Sequence, residues 1–177
     1  LAAQINGLLR QIDKSAYIQP LPLFKGGTIG QHIRHILECY QCLFDGLPKA
    51  RVDYGSRSRD TTLSECPSAA RAVLDYIAHT VKGLDEYQWL KIESEFTDIP
   101  APFPGNTPAY MSSTGRELQY AFDHATHHLA IIRMGLDLYF PQVKTASDLG
   151  VAPSTLKYRK SQKQQANEKI IPETTYG

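Results

Sequence analysis

The sequence has no long hydrophobic run, few cysteines and almost no net charge. No stretch of it approaches the roughly 18 consecutive apolar residues that a membrane-spanning helix needs, so we expect no membrane partner. Three cysteines are an odd number and too few for the disulfide framework of a small secreted protein, so the reducing cytoplasm is the expected location. The net charge of +1 gives no overall attraction to nucleic acid or anionic lipid.

Two common catalytic signatures are also missing from the chain. There is no glycine-rich phosphate loop, and no nucleophile elbow supports catalysis by a Ser-His-Asp triad. What is present is an ordinary globular composition, with 42% hydrophobic and 21% charged residues, which excludes a mostly disordered chain. The length of 177 residues predicts one domain with a short appendage.

Apolar residues recur at spacings of three and four in four stretches, which predicts four amphipathic helices. These helices cover residues 1–17, 29–46, 63–83 and 114–139. Thr28 is the expected N-cap of the second helix. Ser112, Ser113 and Thr114 are candidate N-caps of the fourth, and Thr114 with Glu117 fits the capping-box pattern. Four such helices predict an all-α protein, a four-helix bundle.

The segments between and after the helices have less regular patterns. Residues 48–62 are a long link for a helical bundle and indicate a crossover or a lid. Loose alternation over 89–96 and again over 109–111, with a proline-rich segment between them, predicts a small extended hairpin before the last helix. We expect the bundle to occupy residues 1–156 and to be followed by a solvated basic tail, 157–177, of net charge +3.

Histidine is the residue type that carries the chemical signal. Five of the six histidines fall in the predicted second and fourth helices. His124 and His128 are four residues apart and therefore share one helical face, a spacing at which two imidazoles can bind one divalent ion. His127 points away from the apolar stripe and is expected to face solvent. The third ligand that a catalytic metal needs is available on the second helix as His32 or His35, and the helical wheel slightly favours His32.

Two segments of the chain resemble a known superfamily. Residues 28–36 (Thr-Ile-Gly-Gln-His-Ile-Arg-His-Ile), the long link, and residues 124–128 (His-Ala-Thr-His-His) are similar to the DinB/YfiT-like superfamily. The resemblance implies a DinB-like four-helix bundle of up-down-down-up topology, with a metal bound by one histidine of the second helix and an HxxxH pair of the last. Matched position by position, it implies the ligands His35, His124 and His128. His32 and His127 are alternative ligands or hydrogen-bonding neighbours of a ligand.

The same resemblance implies an activity. It indicates an enzyme that depends on a divalent metal ion (zinc, nickel, iron or manganese) and acts on a small-molecule substrate. The reaction would be S-transfer with a low-molecular-weight thiol, or hydrolysis. Tyr54, Arg57 and Arg59 in the long link are candidate substrate-binding residues, because two guanidinium groups beside a tyrosine can bind an anionic substrate.

Other interpretations of the same residues stay open. Cys39 and Cys42 form a CxxC motif in the middle of a predicted helix, and the spacing of Cys39 from His35 allows a soft zinc site. Glu38, Glu117 and Asp123 lie near the histidines in sequence and are candidates to orient an imidazole.

Two further functions compete with the enzyme. One is a non-enzymatic helical bundle in which the histidines are structural and the helices self-associate. A homodimer is expected whether the chain is the enzyme or the non-enzymatic bundle, because exposed faces of bundles commonly pair. The other is nucleic-acid binding, which is suggested only by the basic tail. The rest of the chain is acidic and contains no base-reading motif, so we expect no nucleic-acid partner.

Overall fold

The computed structural model describes residues 1–93 and 109–168, and these form a mostly helical protein with a small three-stranded sheet. Within these residues the α-helices are α1 (Ala2–Gln11), α2 (Lys14–Ile18), α3 (Ile29–Gly46), α4 (Thr61–Glu65), α5 (Pro67–Thr80), α6 (Thr114–Tyr139) and α7 (Pro153–Glu168). The strands are β1 (Arg51–Asp53), β2 (Trp89–Glu93) and β3 (Ala109–Ser113). The proline-rich segment, the end of the extended stretch 89–96 and the last residues of the basic tail lie outside the described residues. None of the helices described is long and apolar enough to cross a membrane.

The first predicted helix is divided into two. The backbone of Ile12 is extended, with φ −77° and ψ 127°, and it separates α1 from α2. Asp13 begins the second segment, since its carboxylate accepts a hydrogen bond of 2.8 Å from the Ala16 N–H. Asp is a strong N-cap residue, and its local preference ends the apolar periodicity that predicts one continuous helix.

The N-terminus of α3 is fixed as the sequence predicts. The Thr28 hydroxyl accepts a hydrogen bond from the Gln31 N–H at 3.0 Å, and the Gln31 side-chain oxygen accepts one from the Thr28 N–H at 3.2 Å. This reciprocal pair is a capping box. Gly30, in the first turn, lets α3 approach α4 closely, because a Cβ at this position would overlap the carbonyl oxygen of Ser64.

Helix α6 begins one residue earlier than the capping pattern predicts. Ser113 is the N-cap, and its hydroxyl accepts a hydrogen bond from the Arg116 N–H at 3.3 Å. Thr114 is instead the first helical residue and is buried, with its hydroxyl 3.4 Å from the Gln88 carbonyl oxygen. The predicted helix end at Tyr139 is confirmed.

The sheet confirms the predicted hairpin and adds a strand. Strands β2 and β3 pair antiparallel, with Trp89 opposite Ser113. Strand β1 pairs parallel with β2 through Arg51 opposite Lys91, and it lies in the link where no strand is predicted. A strand of three residues is too short to show an alternating pattern. Because β3 runs directly into α6, the sheet holds the start of the link beside the start of α6.

The core lies where α3 packs against its neighbours. Helix α3 contacts α4, α5 and α6, and α1 packs on α5. The apolar faces of α3 and α6 that meet in this core are fully buried: Ile29, Ile33, Ile36, Leu37 and Leu43 from α3, and Ala125, Leu129, Ile132 and Leu136 from α6. This contact places the histidine-bearing turns of α3 and α6 side by side. Helix α7 spans the boundary expected at 156/157, and most of its described side chains are exposed.

Candidate metal centre

Four histidines from two helices meet as two cross-helix pairs. His35 of α3 faces His124 of α6, with their Nε2 atoms 2.6 Å apart. One turn away, His32 of α3 faces His128 of α6, with their Nδ1 atoms 2.9 Å apart. The 2.9 Å distance is that of an ordinary hydrogen bond between imidazoles, in which one ring donates and the other accepts, and the 2.6 Å distance is shorter than usual.

The three histidines implied by the resemblance lie in mutual contact. The ring centroid of His35 is 4.8 Å from that of His124 and 4.6 Å from that of His128. The centroids of His124 and His128 are also 4.6 Å apart. His127 is exposed and stands beside this cluster, with its ring centroid 5.4 Å from that of His128.

Cys39 joins the His35–His124 pair as a third potential ligand. It lies one turn after His35 on α3 and is buried, at 2% exposure. A nitrogen of His35, the sulfur of Cys39 and a nitrogen of His124 all lie within 4.8 Å of one another. His128 is not a member of this group, and its Nδ1 is directed at His32 instead. The geometry therefore supports His35, Cys39 and His124 as an alternative ligand set to the three histidines.

The chemistry of these donors fits a divalent ion. Burial lowers the pKa of His35 to about 4 and that of His128 to about 3, and it lowers the pKa of His32 and His124 as well. All four rings are therefore neutral near pH 7, as metal ligands must be. Tetrahedral zinc with bonds of about 2.0–2.1 Å holds two nitrogens roughly 3.3 Å apart, so the closest pair needs to open by less than about 1 Å. Burial raises the pKa of Cys39 to about 11, so ligation requires the metal to displace the thiol proton.

Aromatic rings line both sides of the cluster. Tyr120 of α6 stacks on His124, with ring centroids 5.7 Å apart and an angle of 21° between the planes. Tyr54, which follows β1, packs on Tyr120 at 5.3 Å. On the other side, Phe24 meets His32 edge-on at 4.7 Å. These contacts hold the imidazoles in fixed orientations.

The nearby carboxylates are engaged elsewhere and do not orient an imidazole. Glu117 accepts hydrogen bonds from the hydroxyl groups of Tyr54, at 2.8 Å, and Ser112, at 2.6 Å. Glu38 accepts the Asp60 N–H at 2.7 Å, and Asp123 accepts the side-chain amide of Gln119 at 3.0 Å. None of these three carboxylates has a hydrogen bond to a histidine ring among the described residues.

Two of the three candidate substrate-binding residues lie at the cluster. Tyr54 contacts it through Tyr120, and Arg57 donates a hydrogen bond of 2.7 Å from Nη1 to the Tyr54 carbonyl oxygen. The positive charge of Arg57 contributes to the lowered pKa values of His35 and His124. Arg59 is exposed and is placed by the structure on the outside of the link, with its Nη1 3.3 Å from the Arg57 carbonyl oxygen.

The sequence reasoning misses one residue at the site, Tyr120, and the role of another, Glu38. Tyr120 precedes His124 by four residues, so its position on the same helical face could have been inferred from spacing. Glu38 anchors the link by bonding the Asp60 N–H, and no local pattern in the sequence indicates a contact between residues so far apart.

The arrangement is chemically able to hold one divalent cation between α3 and α6. Its potential ligands are two neutral imidazoles and one thiol, with a third imidazole, that of His128, in contact with both. A basic side chain, Arg57, stands nearby. No protein-family model, curated protein or solved structure matches this chain, so the geometry of this site is the basis for assigning a function.

Proposed function

We propose that this chain is a divalent-metal-dependent enzyme of the DinB-like type that acts on a small molecule. The observation that carries the proposal is the convergence of His35, Cys39 and His124, whose ligand atoms lie within 4.8 Å of one another. Three protein ligands leave one position of a tetrahedral ion open for a substrate or water, which is the arrangement of catalytic rather than structural zinc sites.

The proposal includes a four-helix bundle formed by α1, α3, α5 and α6. The packing of α3 on both α5 and α6, and of α1 on α5, supports such a bundle. The DinB-like up-down-down-up order and the membership in that superfamily rest on the resemblance of residues 28–36 and 124–128. In that arrangement the metal lies between the second and the fourth helix of the bundle.

The donor set favours zinc among the four ions considered. A thiolate from Cys39 is a soft ligand that suits zinc and does not suit manganese, whereas imidazole also suits nickel and iron. If His128 replaces Cys39 as the third ligand, as the resemblance implies, nickel and iron compete more evenly. A bound ion of this kind acts as a Lewis acid and makes a coordinated water or thiol more acidic.

The chain's own residues orient the imidazoles and the substrate. Stacking on Tyr120 orients the ring of His124, and the hydrogen bond between their Nδ1 atoms orients the rings of His32 and His128. In this proposal Tyr54 and Arg57 bind the substrate. Two reactions fit this site equally: transfer of a low-molecular-weight thiol to an electrophilic substrate, and hydrolysis.

Element analysis of protein purified without a histidine tag tests the metal centre. We expect about one divalent ion per chain, and loss of that ion in the double variant His35→Ala/His124→Ala. His79→Ala is the matched control, because His79 is an exposed histidine on α5 and should keep the ion. A folded wild-type protein that stays free of metal at stoichiometric supply would contradict the proposal.

One observation favours a second function. The nitrogen–nitrogen distances of 2.6 and 2.9 Å are within hydrogen-bonding reach, so the imidazole pairs could simply join α3 to α6. Helix α6 also exposes Met134, at 59%, and Leu138, at 63%, which offer an apolar surface to a second copy. The chain would then be a non-enzymatic, self-associating bundle with structural histidines.

Thermal unfolding with and without a chelator separates the two functions. If the chain is the metal-dependent enzyme, chelator should lower its melting temperature, because removal of a bound ligand destabilises the folded state. If the chain is the non-enzymatic bundle, chelator should leave its melting temperature unchanged. Replacing Met134 and Leu138 by Ser should then lower the mass of the assembly measured by light scattering. A homodimer alone decides nothing, since it is compatible with both functions.

A further inference from the structure

Arg57 stands beside the histidine cluster without an ion-pair partner. The two buried carboxylates there accept hydrogen bonds from other groups, Glu38 from the Asp60 N–H and Glu117 from the Tyr54 hydroxyl, and Glu38 also lies 4.0 Å from Arg34. Arg57 has no carboxylate within 4.0 Å among the residues that the structure describes. A half-buried guanidinium without a counter-ion, beside a site that would also hold a cation, favours an anion.

The backbone that carries Arg57 is fastened to both helices of the cluster. On one side, the Tyr54 hydroxyl donates to Glu117 of α6 at 2.8 Å. On the other side, the Asp60 N–H and the Ser58 hydroxyl donate to Glu38 of α3 at 2.7 and 3.3 Å. Arg57 lies in the sequence between these two attachments, so its position relative to α3 and α6 is fixed rather than left to a free loop.

The guanidinium of Arg57 is close enough to act on groups of both helices. Its charge contributes to the lowered pKa of His35 and His124, and it opposes the rise in pKa that burial causes at Cys39 and Cys42. The only hydrogen bond that its side chain makes to a described residue is the one from Nη1 to the Tyr54 carbonyl oxygen. The remaining N–H groups of the guanidinium are therefore available to a ligand.

We propose that Arg57 binds an oxyanion of the substrate, a carboxylate or a phosphate, next to the His35–His124 pair, and that the substrate is therefore an anionic small molecule. This inference rests on the proposed function for the role of the ion, but anion binding by Arg57 itself does not require a metal. The planar guanidinium suits this task because it can donate two parallel hydrogen bonds to a carboxylate or phosphate.

Arg59 is the natural comparison for this role. It has the same side chain, lies two residues further along the same link and is exposed. Its Nη1 bonds the backbone of Arg57 rather than approaching the histidines. Replacing Arg59 therefore measures the effect of a positive charge that lies on the same link but not beside the histidines.

Anion titrations of the metal-free protein test the proposal. Methylphosphonate and acetate are added separately, and binding is followed through the imidazole signals of His35 and His124 in ¹H–¹⁵N NMR spectra. We expect saturable shifts for at least one of them, and the anion that binds more tightly identifies the substrate as a phosphate or a carboxylate. In Arg57→Gln the half-saturating concentration should rise at least about tenfold, because a charge-assisted pair is lost.

Two further variants keep the test decisive. Arg59→Gln should bind within about twofold of the wild type, and Arg57→Lys should bind a few-fold more weakly, since it keeps the charge and loses the fork. Equal binding by Arg57→Gln and the wild type, an equal loss in Arg59→Gln, or no saturable binding to the wild type would overturn the proposal. Should Arg57→Gln not fold, unchanged binding by Arg57→Lys would overturn it instead.

A zinc titration of the same samples separates this proposal from the proposed function. Zinc binding without anion binding that depends on Arg57 would reject the anion site and leave the metal centre standing. Anion binding that depends on Arg57, in a protein that takes up no zinc, would reject the metal centre and leave the anion site standing.

Discussion

The two histidine pairs that join α3 and α6 are alike in geometry and different in surroundings. Their nitrogens are 2.6 Å apart in the His35–His124 pair and 2.9 Å apart in the His32–His128 pair. The first pair has a buried thiol within ligand distance and a guanidinium nearby. The second pair has the ring of Phe24 against one of its members. The spacing of histidines on two helices therefore creates two equivalent pairs, and the neighbouring side chains decide which of them can support chemistry.

The difference follows from position along α3. His35 is one turn closer to the middle of the helix, where Cys39 follows it and Glu38 anchors the link that carries Arg57. His32 is one turn closer to the N-terminus, beside the short 3₁₀ turn Pro22–Phe24. His35 therefore has the thiol of Cys39 and the cation Arg57 as neighbours, whereas His32, three residues earlier on the same helix, has the phenyl ring of Phe24.

The largest expected effect comes from removing the thiol. Cys39→Ser should weaken zinc binding about 100-fold or more, because the loss of a ligand exceeds the 10–100-fold cost of losing an outer hydrogen-bond partner. Competition with a chromophoric chelator measures the affinity. In the cobalt-substituted protein, the thiolate-to-metal charge-transfer absorption should disappear with the same substitution.

Cys42→Ser and His128→Ala complete this test. Cys42 is the other cysteine of the same helix and lies outside the group of potential ligands, so its replacement should leave the affinity unchanged. His128→Ala measures the ligand set that the resemblance implies. Full zinc binding by Cys39→Ser, together with its loss in His128→Ala, would assign the third position to His128 and reject Cys39.

The next largest effect concerns the link that carries Arg57 beside the His35–His124 pair. Glu38 is buried, at 2% exposure, and its carboxylate accepts the Asp60 N–H. Glu38→Gln should lower the free energy of unfolding by about 1–2 kcal/mol, because its neutral amide oxygen is a weaker acceptor than the carboxylate and its NH₂ group faces Arg34 in place of an oxygen. Urea unfolding measures this loss.

The same variant should distinguish the two pairs. The NMR signals of His35 and His124 should shift with the displaced link, and those of His32 and His128 should shift less. Glu65→Gln is the control, since Glu65 is exposed on α4 and should change stability by less than about 0.5 kcal/mol. Equal shifts in all four histidines would mean that the link does not favour one pair.

A smaller effect is expected when the second pair is removed. His32→Leu deletes the hydrogen bond to His128 while keeping an apolar side chain against Phe24. We expect the free energy of unfolding to fall by about 1 kcal/mol and zinc affinity to stay within about threefold of the wild type. A loss of zinc binding as large as that of His35→Ala would remove the distinction between the pairs.

The sequence predicts the elements that carry the site better than the details of the site itself. The helix from Ile29 to Gly46 and its N-cap follow directly from apolar spacing and from Thr28, whereas the part that Gln31 plays in the capping box is seen only in the structure. The hairpin before α6 follows from alternation and turn residues. Strand β1 and the break at Asp13 do not, because three residues show no period and a single capping residue competes with a continuous apolar stripe.

The identity of the ligand set shows where spacing stops being sufficient. Histidines on α3 and α6 are predictable as neighbours once both helices are placed in one core. Which nitrogen faces which depends on the rotation of each helix about its axis, and an idealised wheel does not fix that rotation. The wheel slightly favours His32, and the resemblance implies His35 with His124 and His128. The structure groups His35 and His124 with Cys39. Long-range contacts such as that of Glu38 with Asp60 have no local signature at all.

The smallest expected effect is the dependence of stability on pH. The folded-state pKa of His35 is about 4 and that of His128 about 3, both below the unfolded value of about 6.5. The folded protein therefore binds fewer protons than the unfolded chain, and stability that is fully present above pH 6.5 is lost as the pH falls toward these values. Because both rings are only half-buried, water screens them and the loss per ring should be modest.

Urea unfolding of the metal-free protein between pH 7 and pH 5 measures this dependence before most carboxylates titrate. His35→Asn and His128→Asn should each flatten the slope, because each removes one group that the folded state keeps neutral. His79→Asn, at an exposed position on α5, should leave the slope unchanged. If all three variants retain the wild-type slope, protonation of the cluster is not what destabilises the protein in acid. The two pairs would then differ only in what they bind.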